Sequence, residues 1–91
     1  MDQINYTNLP KPEEFDEAVE KQEAFFKSIK VKNGITVLIE KYQNLWYYSI
    51  TVVKDGNQFL ESYNKLSPYD AYNMMKEIVA DYIVTEEFNQ N

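Results

Sequence analysis

Along the chain the spacing of apolar residues switches from helical to alternating and back. From Phe15, the positions Ala18, Val19, Gln22, Phe26 and Ile29 recur at three-four spacing and share one face of a helix. Pro12 suits the first helical turn, where a missing N–H costs nothing, and Glu13, Glu14 and Asp16 complement the helix dipole. The pattern predicts a helix from Pro12 to about residue 28. Beyond it, Ile29-Lys30-Val31-Lys32 alternates before Asn33-Gly34, which fits the start of a hairpin; Gly34 as a helix C-cap is the other reading.

Ile35, Val37 and Ile39 then alternate with Thr36, Leu38 and Glu40, predicting a strand over 35–42. Residues 46–53, WYYSITVV, have the β-branched and aromatic composition of a second strand. A two-residue Gln43-Asn44 connection would pair Ile39 with Tyr48, Val37 with Ile50 and Ile35 with Val52. A two-residue Asp55-Gly56 loop would add a third strand, with Phe59 opposite Val52, Tyr63 opposite Tyr48, and Glu61 as the odd member of that face. A three-residue loop with Gly56 in a bulge shifts this register. The other face carries Thr36, Leu38, Glu40, Tyr47, Ser49, Thr51, Val53, Leu60 and Ser62.

Ser67-Pro68-Tyr69-Asp70 is a helix start with Ser as N-cap and Asp at the capping-box position. Ala71, Tyr72, Met75, Ile78, Val79, Tyr82 and Ile83 form its apolar arc to about residue 84. The expected fold is a single α+β domain over 1–91: helix, three- to four-stranded antiparallel meander, helix, with both helices on one face of the sheet. Residues 1–11 read as an irregular lead-in and 86–91 as a fraying end.

Composition narrows the chemistry. The 91 residues include no His, Cys or Arg, and 15 acids face 9 lysines for a net charge of −6. The side chains that most often run acid/base, thiol, zinc and phosphate chemistry near neutral pH are therefore absent. A low-GC genome, which replaces Arg by Lys and enriches Asn, Ile and Tyr, accounts equally for the missing Arg. Without cysteine there is no disulfide framework. No run of residues reaches the roughly 18 apolar positions of a membrane span, and the expected location is the cytoplasm. Paired carboxylates on a solvated helix keep ordinary acidity, and no phosphate loop, nucleophile motif or calcium loop is present, so an enzyme, a cofactor and a metal site are not expected.

Two surfaces remain as candidate sites. On the first helix Glu13, Asp16, Glu17, Glu20 and Glu23 fall in one arc behind the apolar face: residues 13–23 hold six acids and one lysine, whereas 24–41 hold four lysines and one acid. Such an arc is either a solvated face, partly neutralised by Glu17–Lys21 and Glu23–Lys27 pairs, or an imitation of nucleic-acid phosphates presented to a basic protein groove. The second candidate is the uncovered sheet face, with Leu38, Tyr47, Thr51 and Leu60 as contact residues for a partner or a second copy.

In element order the chain resembles the double-stranded-RNA-binding domain. That family grips phosphates with a lysine cluster at the start of its last helix; here Ser67-Pro68-Tyr69-Asp70-Ala71 holds an acid and no lysine, which speaks against direct nucleic-acid binding. Size, acidity and element order also resemble small phage-encoded anti-CRISPR inhibitors of the DNA-mimic type. That resemblance implies a module that occupies the nucleic-acid-reading surface of a protein; the net charge of −6 separately favours a basic protein partner over nucleic acid or membrane, and a monomer or homodimer is expected. The rival expectation is a structural or self-associating domain that uses its open sheet.

Overall fold

The computed structural model describes residues 9–89. Its elements are α1 (Pro12–Glu20), β1 (Phe25–Lys30), β2 (Ile35–Lys41), β3 (Tyr48–Lys54), β4 (Gln58–Leu66) and α2 (Pro68–Asn89). The four strands form one antiparallel sheet in the order β1-β2-β3-β4, so every connection is between neighbours. Phe15 and Ala18 of α1 and Ala71, Met75, Ile78 and Val79 of α2 join Ile35, Val37, Ile39, Tyr48, Ile50 and Val52 of the sheet in one core. The α+β class and helix-strands-helix order are those the sequence predicts.

The first helix is much shorter than its periodicity suggests. It ends because Gln22 takes a left-handed conformation, φ 57°, and the Glu23 and Gln22 N–H groups bond back to the carbonyls of Ala18 at 2.9 Å and Val19 at 3.2 Å. This is a Schellman ending in which glutamine occupies the position glycine usually takes. Residues 25–30 therefore form a strand: Phe25 is buried, Phe26 is exposed, and Gln22 lies in solvent rather than on an apolar helix face.

Between β2 and β3 the connection is residues 42–47, and Val37 faces Val52 while Ile39 faces Ile50. The two-residue Gln43-Asn44 link is thus corrected by a register shift of two, which leaves every side chain on its expected face because the side-chain period of a strand is two. In β4 the pairings expected from a two-residue loop do not form, because the connection is the three residues 55–57 with Gln58 opposite Lys54. Phe59 faces Val53, Glu61 faces Val52 and Tyr63 faces Ile50, with ladder irregularities between Val52 and Val53 and between Tyr48 and Ile50. The first is a bulge that sets Leu60 and Glu61 together opposite Val52. Phe59 is left 75% exposed on the open face, and Leu60 packs against the core.

Glu61, polar on the helix-covered face, has partners there. The Tyr82 hydroxyl of α2 donates to Oε2 at 2.5 Å and the Tyr63 hydroxyl to Oε1 at 2.7 Å. The two bonds hold the Glu61 carboxyl's pKa below its ordinary value, while burial and the facing carboxylate push that of Tyr82 up to about 12. The Ser67 Oγ accepts the Asp70 N–H at 3.1 Å, completing the predicted N-cap. The helix that follows continues through Asn89, past residue 84 and through the first part of the expected fraying end. Of the expected lead-in, residues 1–8 lie outside the described residues, as do residues 90 and 91 at the other end.

Two turns meet at one end of the sheet. Asn33-Gly34 and Asp55-Gly56 all have positive φ, 56°, 81°, 54° and 80°, the mirror-image geometry that Asn-Gly and Asp-Gly favour in hairpins. The Asp55 N–H donates to the Gly34 carbonyl at 2.9 Å, joining the first hairpin to the second. A Cβ on Gly34 would run into the Asp55 carboxylate, whereas one on Gly56 would meet nothing within 4 Å.

Replacing Gly56 by Ala should therefore show backbone strain alone, about 1–2 kcal/mol, or roughly 5–15 °C in melting temperature for a domain of this size. Gly34→Ala should lower the melting temperature further, and equal losses in thermal melts would contradict the Asp55 contact. The Glu61 clamp gives a second prediction. A carboxyl whose acidity is strengthened by folding contributes stability above its unfolded value of 4.5 that is lost as the pH falls. A tyrosine raised to about 12 contributes stability below 10.0 that is lost as the pH rises toward 12. Urea unfolding across pH should show both declines, and Tyr82→Phe should reduce each of them, the alkaline one incompletely because Tyr48 is raised as well.

Candidate functional site

α1 is a nine-residue helix, too short to persist alone in water. It is held by Phe15, whose ring centroid lies 4.9 Å from Phe25, 5.1 Å from Tyr48 and 5.9 Å from Tyr72. The Tyr48 hydroxyl donates to the Phe15 carbonyl at 2.8 Å within the core. At the helix start the Glu14 carboxylate accepts the Lys11 N–H at 2.9 Å, satisfying one of the free N-terminal donors. With Phe15 and Ala18 turned inward, Glu13, Asp16, Glu17 and Glu20 are all exposed. Four of the five residues of the predicted arc therefore stand on the helix.

Glu23 is the exception, since the Schellman ending carries it off the helix into the connection to β1. It is exposed, and it lines one shallow hollow with Glu14, Glu17, Ala24, Phe26 and Lys27. The chain reversal thus returns Glu23 to the acidic side by a different route. The expected Glu23–Lys27 pair does not form because the two residues are no longer one helical turn apart. Among the described residues the one ion pair is Glu17–Lys21, at 3.7 Å between exposed side chains, a contact worth a fraction of a kcal/mol at most.

The open sheet face is built from rows across the strands. Ser28, Leu38, Thr51 and Ser62 form the middle row; Lys30, Thr36, Val53 and Phe59 form the row toward the twin turns; Phe26, Glu40 and Ser49 lie on the other side. Leu38, Thr51 and Tyr47 are half-buried, as the sequence places them. Leu60 is not part of this surface: the three-residue 55–57 connection shifts the register so that it faces the helix side, where it packs on the core. Its place as an exposed apolar contact is taken by Phe59.

Sequence reasoning missed the corner where this face meets the 42–47 loop. Phe26, Tyr42 and Trp46 are each more than half exposed. The Phe26 and Tyr42 rings meet edge to face at 5.4 Å, and Trp46 meets Tyr47 in the same way at 5.2 Å. Tyr42 and Tyr47 line a common concavity with Glu40, Ser49 and Thr51. The signal for this corner was the WYY run itself, which the expected strand from residue 46 absorbed.

Lys41 fixes the loop from below. Its side chain is on the core face, 1% exposed, and its Nζ donates to the carbonyls of Tyr42 at 3.1 Å and Leu45 at 2.9 Å. Burial lowers the pKa of this ammonium below the ordinary lysine value, and the nearby Glu23 carboxylate partly offsets that. The ammonium thus serves as a hydrogen-bonding post for the loop.

Among the described residues no group of three or more acids could hold a metal ion, and no helix is long and apolar enough to cross a membrane. Comparison with family models, curated proteins and solved structures finds no match.

Proposed function

We propose that the chain is a small protein-binding module that presents the outer face of α1 to a basic, nucleic-acid-binding surface of another protein and blocks it. This is the mode of action of the phage and mobile-element inhibitors it resembles. The observation that carries the reading is the exposed row Glu13, Asp16, Glu17 and Glu20, with Glu23 beside it, on a helix whose opposite side is locked by Phe15. Carboxylates on successive turns advance by about 5 Å, the same order as the few-ångström spacing of phosphates along a nucleic-acid strand. A net charge of −6 adds long-range attraction to a basic partner and repulsion from nucleic acid itself.

Support also comes from what these acids do not do. Asp16 and Glu20 make no ion pair among the described residues and accept no side-chain hydrogen bond there, so the fold does not need them. Glu13→Lys, Glu17→Lys and Glu20→Lys together should leave the melting temperature within a few degrees of the parent. The same triple variant should lose capture of protein from extracts of the source cells. Proteins retained by the parent should be released by salt and displaced by added duplex DNA; retention that the reversal, salt and DNA all leave intact would refute the mimic.

A second reading is favoured by one observation, the 75% exposed Phe59 beside buried Val53 on the open face. In it the sheet face, with Leu38, Tyr47 and Thr51, docks a second copy or a structural partner.

A further inference from the structure

The aromatic corner lies next to the acidic surface, and the two surfaces meet at one ridge. Phe26 lines the hollow that holds Glu14, Glu17 and Glu23, while its ring partner Tyr42 lines the concavity that holds Glu40 and Tyr47. Glu40 is also the cross-strand partner of Phe26 on the open face. Four rings, Phe26, Tyr42, Tyr47 and Trp46, thus run along a border with carboxylates on both sides, and Lys27 is the one cation in the acidic hollow. The edge-to-face contacts cover ring edges, and large exposed areas remain on Phe26 at 53%, Tyr42 at 59% and Trp46 at 57%.

We infer that this corner is a docking site for an arginine-bearing segment of the partner protein, with guanidinium groups stacked on the rings and paired with Glu23 and Glu40. The inference rests on the proposed acidic-module reading and names the chemistry of its partner. Guanidinium is planar and weakly hydrated, so it stacks on a ring face and forms a fork to a carboxylate at the same time; an ammonium does the second but gains less from the first. Nucleobases would also stack on such rings, but the surrounding carboxylates repel their phosphates. A second copy of the chain cannot supply the contact, because the sequence contains no arginine. The Lys41 bonds to the Tyr42 and Leu45 carbonyls hold the loop in place before binding, which lowers the ordering cost of the contact.

The test uses two synthetic peptides of equal length and charge, alternating Gly-Arg and alternating Gly-Lys, titrated by calorimetry and by the emission of Trp46, the one tryptophan of the chain. The arginine peptide should bind about five- to tenfold more tightly than the lysine peptide and should shift Trp46 emission. Phe26→Ser with Tyr42→Ser should remove that preference and leave the lysine peptide's affinity unchanged; a melting curve confirms that the variant is folded. Glu13→Lys, Glu17→Lys and Glu20→Lys together should weaken both peptides alike and keep their ratio. Equal affinities for the two peptides, a preference that survives the ring substitutions, or no binding of either peptide overturns the inference. If the helix reversal changes nothing while the ring-dependent preference persists, the acidic-helix reading fails and the aromatic site stands.

Discussion

Burial of Phe15 against Phe25, Tyr48 and Tyr72 is the contact on which the acidic surface depends. A nine-residue helix carrying five acids has almost no independent stability, and mutual repulsion of its carboxylates works against it. What keeps it formed is one aromatic side chain inserted into a ring cluster and one hydroxyl, that of Tyr48, satisfying the Phe15 carbonyl. Burial pushes the Tyr48 hydroxyl well above the ordinary tyrosine range, which keeps it protonated as a donor near neutral pH. Apart from Glu14, which caps the helix start, and the weak Glu17–Lys21 pair, the acids carry little structural duty, and the apolar side of the helix carries most of it.

The two ends of the sheet are fixed by different means. At one end the paired turns, joined by the Asp55 N–H to the Gly34 carbonyl, set the relation of the two hairpins through backbone bonds alone. At the other, the β2–β3 loop has no such turn chemistry and relies on the Lys41 ammonium beneath it. The rigid end is polar and the lysine-supported end is aromatic. An exposed group of rings on a loop would ordinarily collapse onto the nearest apolar surface; here a buried cation and two edge-to-face contacts hold it outward.

Where local chemistry decided an outcome, the sequence was legible. Ser67-Pro68-Asp70 marked the start of α2, Asn33-Gly34 and Asp55-Gly56 marked the turns, and alternation placed Val37, Ile39, Ile50 and Val52 in the core. The end of α1 was not legible because its left-handed residue is Gln22, which carries none of the signal that glycine would, and because Phe26 and Ile29 continue the helical spacing by coincidence. The same error moved Glu23 and hid Phe26 from the list of exposed rings. In β4 the pattern failed because the connection is three residues rather than two, which exchanged the faces of Phe59 and Leu60, and because bulges then break the period on which an alternation argument rests. Glu61 looked misplaced in sequence because the tyrosines that justify it come from Tyr63 beyond the bulge and from Tyr82 in another element. Of the acidic surface most was readable, since it needs only a helix and its phase. The aromatic corner was not, since it depends on where a strand begins.

The bulges also make the two borders of the sheet unequal. β4 is interrupted in its ladder and Lys65 within it has a φ of 58°, so its outer rim offers no regular row of donors and acceptors. β1 pairs residue for residue with β2 and is uninterrupted along its length. The sheet is therefore open to strand addition along β1 and blunted against it along β4.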